Sequence, residues 1–145
     1  MPLPKFNETG DLPVGVHKAT LSEVIATFGT STVRRRQIAQ RLARIYHIAV
    51  GTGNLAQFIV FGSFVTNKPE PNDVDVFLLM DDTFDVTRVT GEAHILFEHA
   101  SAQNYFGASV FWVRRMAALG GDEVIEDWQL KRDGTRRGII EIIGD

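Results

Sequence analysis

Phe58-Ile59-Val60-Phe61-Gly62-Ser63, an interval of nine residues, and then Asp73-Val74-Asp75-Val76-Phe77-Leu78-Leu79-Met80 form the stretch on which the fold turns. The first four residues are an apolar run stopped by a glycine, the pattern of a buried strand that opens into a turn. From Val74 to Met80 a second apolar run predicts a second strand. Side chains alternate faces along a strand, so Asp73 and Asp75 project one way while Val74 and Val76 point to the other. Acids are depleted in strands, and two on one strand face ask for a reason. Adjacent carboxylates repel, and a divalent cation that takes oxygen ligands relieves the repulsion. A Gly-Ser pair at a strand end offers backbone N–H groups that phosphate oxygens can approach with no Cβ in the way. Alone it would be an ordinary turn; coupled to the two acids, it predicts a magnesium–triphosphate site.

The segment Phe61-Gly62-Ser63, nine residues, Asp73-Val74-Asp75-Val76 resembles the signature of the nucleotidyltransferase superfamily, the fold of DNA polymerase beta. That resemblance implies a minimal α/β (α+β) fold, a small mixed sheet with helices largely on one side. It also implies phosphate binding by Gly62 and Ser63 and metal binding by Asp73 and Asp75, the catalytic pair. The cofactor would be Mg²⁺, or Mn²⁺ in its place, and the substrate a nucleoside triphosphate. Leu12-Pro13-Val14-Gly15-Val16-His17 and Arg132-Asp133-Gly134-Thr135-Arg136-Arg137-Gly138-Ile139 are similar to the ends of an uncharacterised group of small bacterial members. One departure stands out. The family's third carboxylate belongs on the next strand, and the best candidate, Ala108-Ser109-Val110-Phe111-Trp112-Val113, carries no acid. Ser109 takes the place by position, and a neutral hydroxyl is neither a strong metal ligand nor a base. Asp81, Asp82, Asp85 and Glu98 are the acids that would have to substitute.

Outward from this core, the first ~19 residues are rich in Pro and Gly and read as an extended lead-in. Thr20-Leu21-Ser22-Glu23 forms a capping box for a short helix to about Phe28, ended by Gly29. Ser31 or Thr32 caps a second helix, whose stripe Ile38, Leu42, Ile45, Ala49 has helical spacing, with Gly51 and Gly53 as stop signals. Val86, Val89, Ala93 and Leu96 predict a third helix with Gly91 near its middle. Trp128-Gln129-Leu130 and Ile139-Ile140-Glu141-Ile142 flank Asp133-Gly134, a dipeptide suited to a hairpin turn.

The chain has 145 residues, 44% of them hydrophobic and 23% charged, so one domain, 1–145, is expected. Net charge is −3, without the basic excess of a protein held to nucleic acid by charge alone. No cysteine is present, which excludes disulfides, zinc–thiolate sites and a thiol nucleophile. No apolar stretch approaches the ~18 residues of a membrane span, and the start lacks the apolar segment of a signal peptide, so no membrane partner and a cytoplasmic location are expected.

Several further residues have two readings. Lys68, in the loop between turn and acids, reaches a phosphate or is simply solvated. Arg34, Arg41 and Arg44, with Gln37, make a stripe on the second helix that meets RNA or is its wet face. Lys131, Arg132, Arg136 and Arg137 crowd the Asp133-Gly134 turn. His17 folds over the site or sits on the surface. His94, Glu98 and His99 form a weak zinc signal, and Trp112 and Phe111 beside it read as core and cover. The expected function is Mg²⁺-dependent binding of a nucleoside triphosphate, with nucleotidyl transfer to a protein, RNA or other acceptor. Its alternatives are a catalytically degenerate binding module, such as a toxin–antitoxin or phage-defence component, and an RNA-binding protein that uses the arginine stripe.

Overall fold

The computed structural model describes residues 3–145. Its centre is the pair predicted from the opening stretch: β2 (Leu55–Phe61) and β3 (Val74–Met80) run antiparallel, with Phe58 opposite Leu78, Val60 opposite Val76 and Phe61 opposite Asp75. Next to β3 lies β4 (Ala108–Arg114), parallel, which sets Ser109 beside Asp75. On the other side, β5 (Ile139–Ile142) is antiparallel to β2, and β1 (Val16–Ala19) is parallel to β5. The result is a five-stranded mixed sheet in the order β1-β5-β2-β3-β4, an α+β architecture as expected.

Most helices cover one face. Helix α1 (Leu21–Phe28) starts at the predicted capping box: Glu23 N donates to Thr20 Oγ1 at 3.1 Å, and Thr20 N donates to Glu23 Oε1 at 3.0 Å. Thr32, not Ser31, caps α2 (Val33–Gly51), accepting from Arg35 N at 3.0 Å. The stripe Ile38, Leu42, Ile45, Ala49 is fully buried, against Phe58 and Val60 of β2 and Val74, Val76 and Leu78 of β3. Complete burial of a Leu or Ile side chain is worth about 1.5–3 kcal/mol, so this stripe anchors the helix to the sheet. Helices α3 (Gly91–Leu96) and α4 (His99–Phe106) join the same core. The opposite face is smaller: Ile59, Phe77, Leu79 and Ile139 pack with Ala118 and with Ile125 of α5 (Asp122–Asp127). Because β2 and β3 are covered on both faces, they read as near-continuous apolar runs.

Four expectations are corrected. The third helix is broken: Val86–Arg88 is a single 3₁₀ turn, and α3 begins only at Gly91, whose φ of +65° no right-handed helix interior accommodates. The short α4, capped by Glu98, and α5 were not foreseen. The stretch around Asp133-Gly134 does turn, with Lys131 N donating to Thr135 O at 2.8 Å, but it is not a hairpin of sheet strands. Only Leu130 and Arg136 bridge, and β5 pairs with β1 and β2 instead. Finally, the lead-in is not all outside the sheet: Val16–Ala19 is the edge strand β1, and Leu12 is buried in the core. Met1 and Pro2 lie outside the described residues. No described helix is long and apolar enough to cross a membrane.

Candidate functional site

Gly62 ends β2 with φ +81°, a backbone that side chains rarely adopt. A second constraint is spatial. The Asp75 carboxylate presses so closely on the Gly62 backbone that any Cβ there would run into Asp75 Oδ2. Turn and acid strand therefore meet directly, as the register of Phe61 opposite Asp75 requires. Ser63–Val65 follows as one 3₁₀ turn, closed by Thr66 Oγ1 donating to Ser63 O at 2.7 Å.

What holds this turn is a residue that no motif marks. Arg35, 3% exposed, sends its guanidinium into the loop. Nη1 donates to Phe28 O at 3.0 Å and Phe64 O at 2.7 Å, Nη2 donates to Thr66 O at 2.8 Å, and Nε donates to Lys68 O at 3.2 Å. Burial lowers its pKa, and the Glu70 charge opposes that. Arg35 thus satisfies three buried carbonyls, those of Phe28, Phe64 and Thr66, and ties down the more exposed Lys68 carbonyl as well. The only signal it carried in sequence was its place in a basic run.

Asp73 and Asp75 point to the same face, as alternation predicted. Burial and the Asp73 charge push Asp75 up to about 6, with smaller downward pulls from Ser109, Arg137 and Arg132. The Ser109 hydroxyl donates to Asp73 Oδ2 at 3.2 Å, so the serine bridges the pair from the neighbouring strand. The other acids are engaged elsewhere. Asp81 accepts from Asn54 and Thr83, Asp82 from Met116 N, Asp85 from Thr87, and Glu98 caps α4. None of them lines the cleft.

That cleft, of about 630 Å³, gathers Ser63, Lys68 and Asn72 from the loop, Asp73 and Asp75 from β3, and Gln103 and Ser109 from α4 and β4. Its remaining wall is Lys131, Arg132, Asp133 and Arg137 from the C-terminal turn. The residues given phosphate or magnesium roles in sequence, Ser63, Lys68, Asp73 and Asp75, are at this one place, with Gly62 against Asp75, whereas His94, Glu98 and His99, read as a weak zinc signal, lie outside it. Sequence reasoning missed Asn72, Gln103 and Asp133 as lining residues. Asp133 Oδ1 is already taken by Thr135 N and Oγ1, and no group of three or more His, Asp or Glu among the described residues is placed to hold a metal. The pair Asp73–Asp75 is what a cation would find.

The other candidates lie apart. The α2 arginines lie on the helix-covered side of the sheet and outside the cleft: Arg34 approaches Glu70 at 3.8 Å, Arg44 pairs with Glu92, and Arg36 donates to Thr30 O. Arg136 turns to Glu126 O and Asp127. His17 Nε2 lies 2.6 Å from Pro13 O, tying down the lead-in. His99 bonds Val110 O and stacks on Phe111. Trp112 is core, its Nε1 donating to Phe97 O at 2.9 Å, while Phe111 is half-covered on the other face against Phe61 and Trp128.

No curated protein and no solved structure matches the chain. A family does: residues 4–143, which include the whole sheet, both walls of the cleft and the lead-in that braces them, fit one described only as a family of unknown function (DUF6932), and the chain belongs to it.

Proposed function

We propose that the cleft binds a nucleoside triphosphate together with Mg²⁺, or Mn²⁺, in the manner of a nucleotidyltransferase. The observation that carries the reading is the contact of the Asp75 carboxylate with the Gly62 backbone, which unites the phosphate turn and the acid pair in one cleft. The donor set fits a small hard cation. Burial first, and then the charge of Asp73, raises the pKa of Asp75, and a divalent ion would relieve the repulsion between the two carboxylates. Mg²⁺ is commonly held by only one or two carboxylates and completes its shell with substrate phosphates and water. Asp73 and Asp75 would hold the ion, which supplies charge neutralisation for the phosphates. Gly62, lacking a Cβ, lets the Asp75 carboxylate close on the turn, Ser63 offers its hydroxyl and Lys68 its ammonium.

Transfer chemistry is the second half of the proposal. Ser109, already donating to Asp73, offers no proton acceptor for an attacking hydroxyl. That observation favours a binding module as the second reading. Calorimetry with a non-hydrolysable nucleoside triphosphate tests the first: affinity should depend on Mg²⁺ and collapse in Asp73→Asn and in Asp75→Asn. Binding indifferent to chelator and to both substitutions rejects it. Labelled-nucleotide transfer in the native protein, abolished by Asp75→Asn, would decide for the enzyme over the module.

A further inference from the structure

A buried carboxylate far from the acid pair in sequence has more positive charge around it than it needs. Asp11 is 5% exposed. Its Oδ2 accepts from Lys131 Nζ at 3.2 Å and from Thr9 Oγ1 at 3.0 Å, and its Oδ1 accepts from Arg137 Nη1 at 3.4 Å. Burial alone would raise its pKa, but these hydrogen bonds outweigh it and hold the group below the ordinary carboxylate range. One cation would neutralise it. Two are present, and both also line the cleft across from Asp73 and Asp75.

The surroundings are built to keep that arrangement. Gly138 N donates to Leu12 O at 2.9 Å, Arg137 N to Gln129 O at 3.0 Å, and Gly15 N to the buried Gln129 Oε1 at 2.6 Å, so lead-in and C-terminal turn are stitched together on either side of Asp11. Arg132, between the two tethered cations, has no ion-pair or hydrogen-bond partner among the described residues and still lines the cleft. The charges of Arg137 and Arg132 reach Asp75 and pull its pKa down. In the cleft as a whole, Lys68, Lys131, Arg132 and Arg137 face Asp73, Asp75 and Asp133.

We propose that Lys131, Arg132 and Arg137 form a polyphosphate-binding wall of the cleft, and that Asp11 is the positioning residue that sets it. This deepens the triphosphate reading and rests on it for the identity of the ligand, yet the wall itself needs no metal. A row of three cations, two held by Asp11, which offsets part of their charge, and Arg132, free among the described residues, between them, suits a chain of phosphates, whose charge is spread, and a cleft of about 630 Å³ is far larger than one phosphate needs. Charge-assisted hydrogen bonds from Arg and Lys to phosphate oxygens are the strong ones, provided the donors are held in place.

The test is calorimetric titration of the native chain with inorganic tripolyphosphate at fixed ionic strength, in EDTA and then in Mg²⁺. The wall predicts binding in EDTA, weakened about ten-fold by Arg132→Ala or Arg137→Gln, on the scale of a lost charge-assisted hydrogen bond. Asp73→Asn should tighten this metal-free binding by removing a repelling charge, while removing the Mg²⁺-dependent gain. Asp11→Asn gives the sharpest sign. It makes the cleft more positive, so unpositioned cations would bind the anion better, whereas the positioning role predicts weaker binding. Near-UV circular dichroism checks that the variant folds. Should it not, Asp11→Glu, which keeps the charge but displaces the carboxylate, decides instead, and native affinity there overturns the positioning role. Absent binding in EDTA, or affinity untouched by Arg132→Ala, overturns the wall; Mg²⁺-dependent nucleotide binding sensitive to Asp73→Asn would still leave the triphosphate site standing.

Discussion

The two faces of the sheet are built from alternate residues of the same strands and serve opposite ends. On the helix-covered face β3 presents Val74, Val76, Leu78 and Met80, all fully buried beneath α2 and its neighbours. On the other face the positions around and within the same strand read Asp73, Asp75, Phe77, Leu79. The apolar half, Phe77 and Leu79, packs under α5, and the acidic half opens into the cleft. Neighbouring strands change over at the same level, Ser109 standing before Phe111 and Val113 on β4. The difference shows how a small domain places charge without losing its core: one face carries the stability, and only half of the other is given over to the site.

If that division is right, damage to the helix face should be large in stability and small in ligand affinity. Leu42→Ala removes a fully buried side chain from the α2 stripe and should cost about 2–5 kcal/mol in denaturant unfolding, leaving Mg²⁺-dependent nucleotide affinity in the folded protein near native. A comparable loss of affinity would show that the faces are not independent.

The cleft face should do the reverse. The Asp75 pKa of about 6 lies above the ordinary aspartate value of 3.8, so between those pH values the folded state keeps a proton that the unfolded state has released. Stability from this group is therefore full below about pH 4 and falls as pH rises to about 6, after which the penalty stays constant. Asp75→Asn should accordingly stabilise the protein at pH 8 by on the order of 2 kcal/mol while abolishing Mg²⁺-dependent binding. A destabilised Asp75→Asn protein would mean that the ionised carboxylate helps to hold the fold.

A smaller effect sharpens the same point. Mg²⁺ favours the ionised pair, so the Tm increase it produces should be larger at pH 8 than at pH 5, by a few degrees in differential scanning. An increase independent of pH would place the ion elsewhere. Ser109→Asp adds a third carboxylate beside Asp75 and should tighten Mg²⁺ roughly ten-fold, within the range that ligand-shell changes produce. Unchanged affinity in a folded variant would mean that the serine position does not face the ion. Least of all, Arg34→Ala on the outer side of α2 should change stability by no more than about 0.5 kcal/mol, its partner Glu70 being 3.8 Å away and exposed.

Local pattern was enough to read much of this from sequence. The α2 stripe repeats at helical spacing over a long helix, so its burial was legible. Thr20 and Glu23 satisfy each other across one turn. Gly62, Ser63, Asp73 and Asp75 are legible because a strand end, a glycine and a period of two place them on one side of one strand pair. These arguments need no knowledge of what lies across the molecule.

Tertiary structure decided what those arguments could not reach. Helices α3, α4 and α5 have six, eight and six residues, too short for periodicity to declare, and tertiary packing rather than propensity holds helices of that length. Gly91 broke the expected third helix because the chain needs a positive φ there. β1 is a four-residue edge strand whose only argument for existing is β5, at the far end of the chain. In sequence Arg35 is one arginine of a basic run with nothing to mark it, and only the folded loop, which brings four carbonyls to its guanidinium, makes it a clamp. Asp11 and the Lys131–Arg137 wall are separated by most of the sequence. Spacing fixes which groups share a strand face, but pairing between distant segments depends on which edges meet, and that is settled only when the whole sheet closes its core.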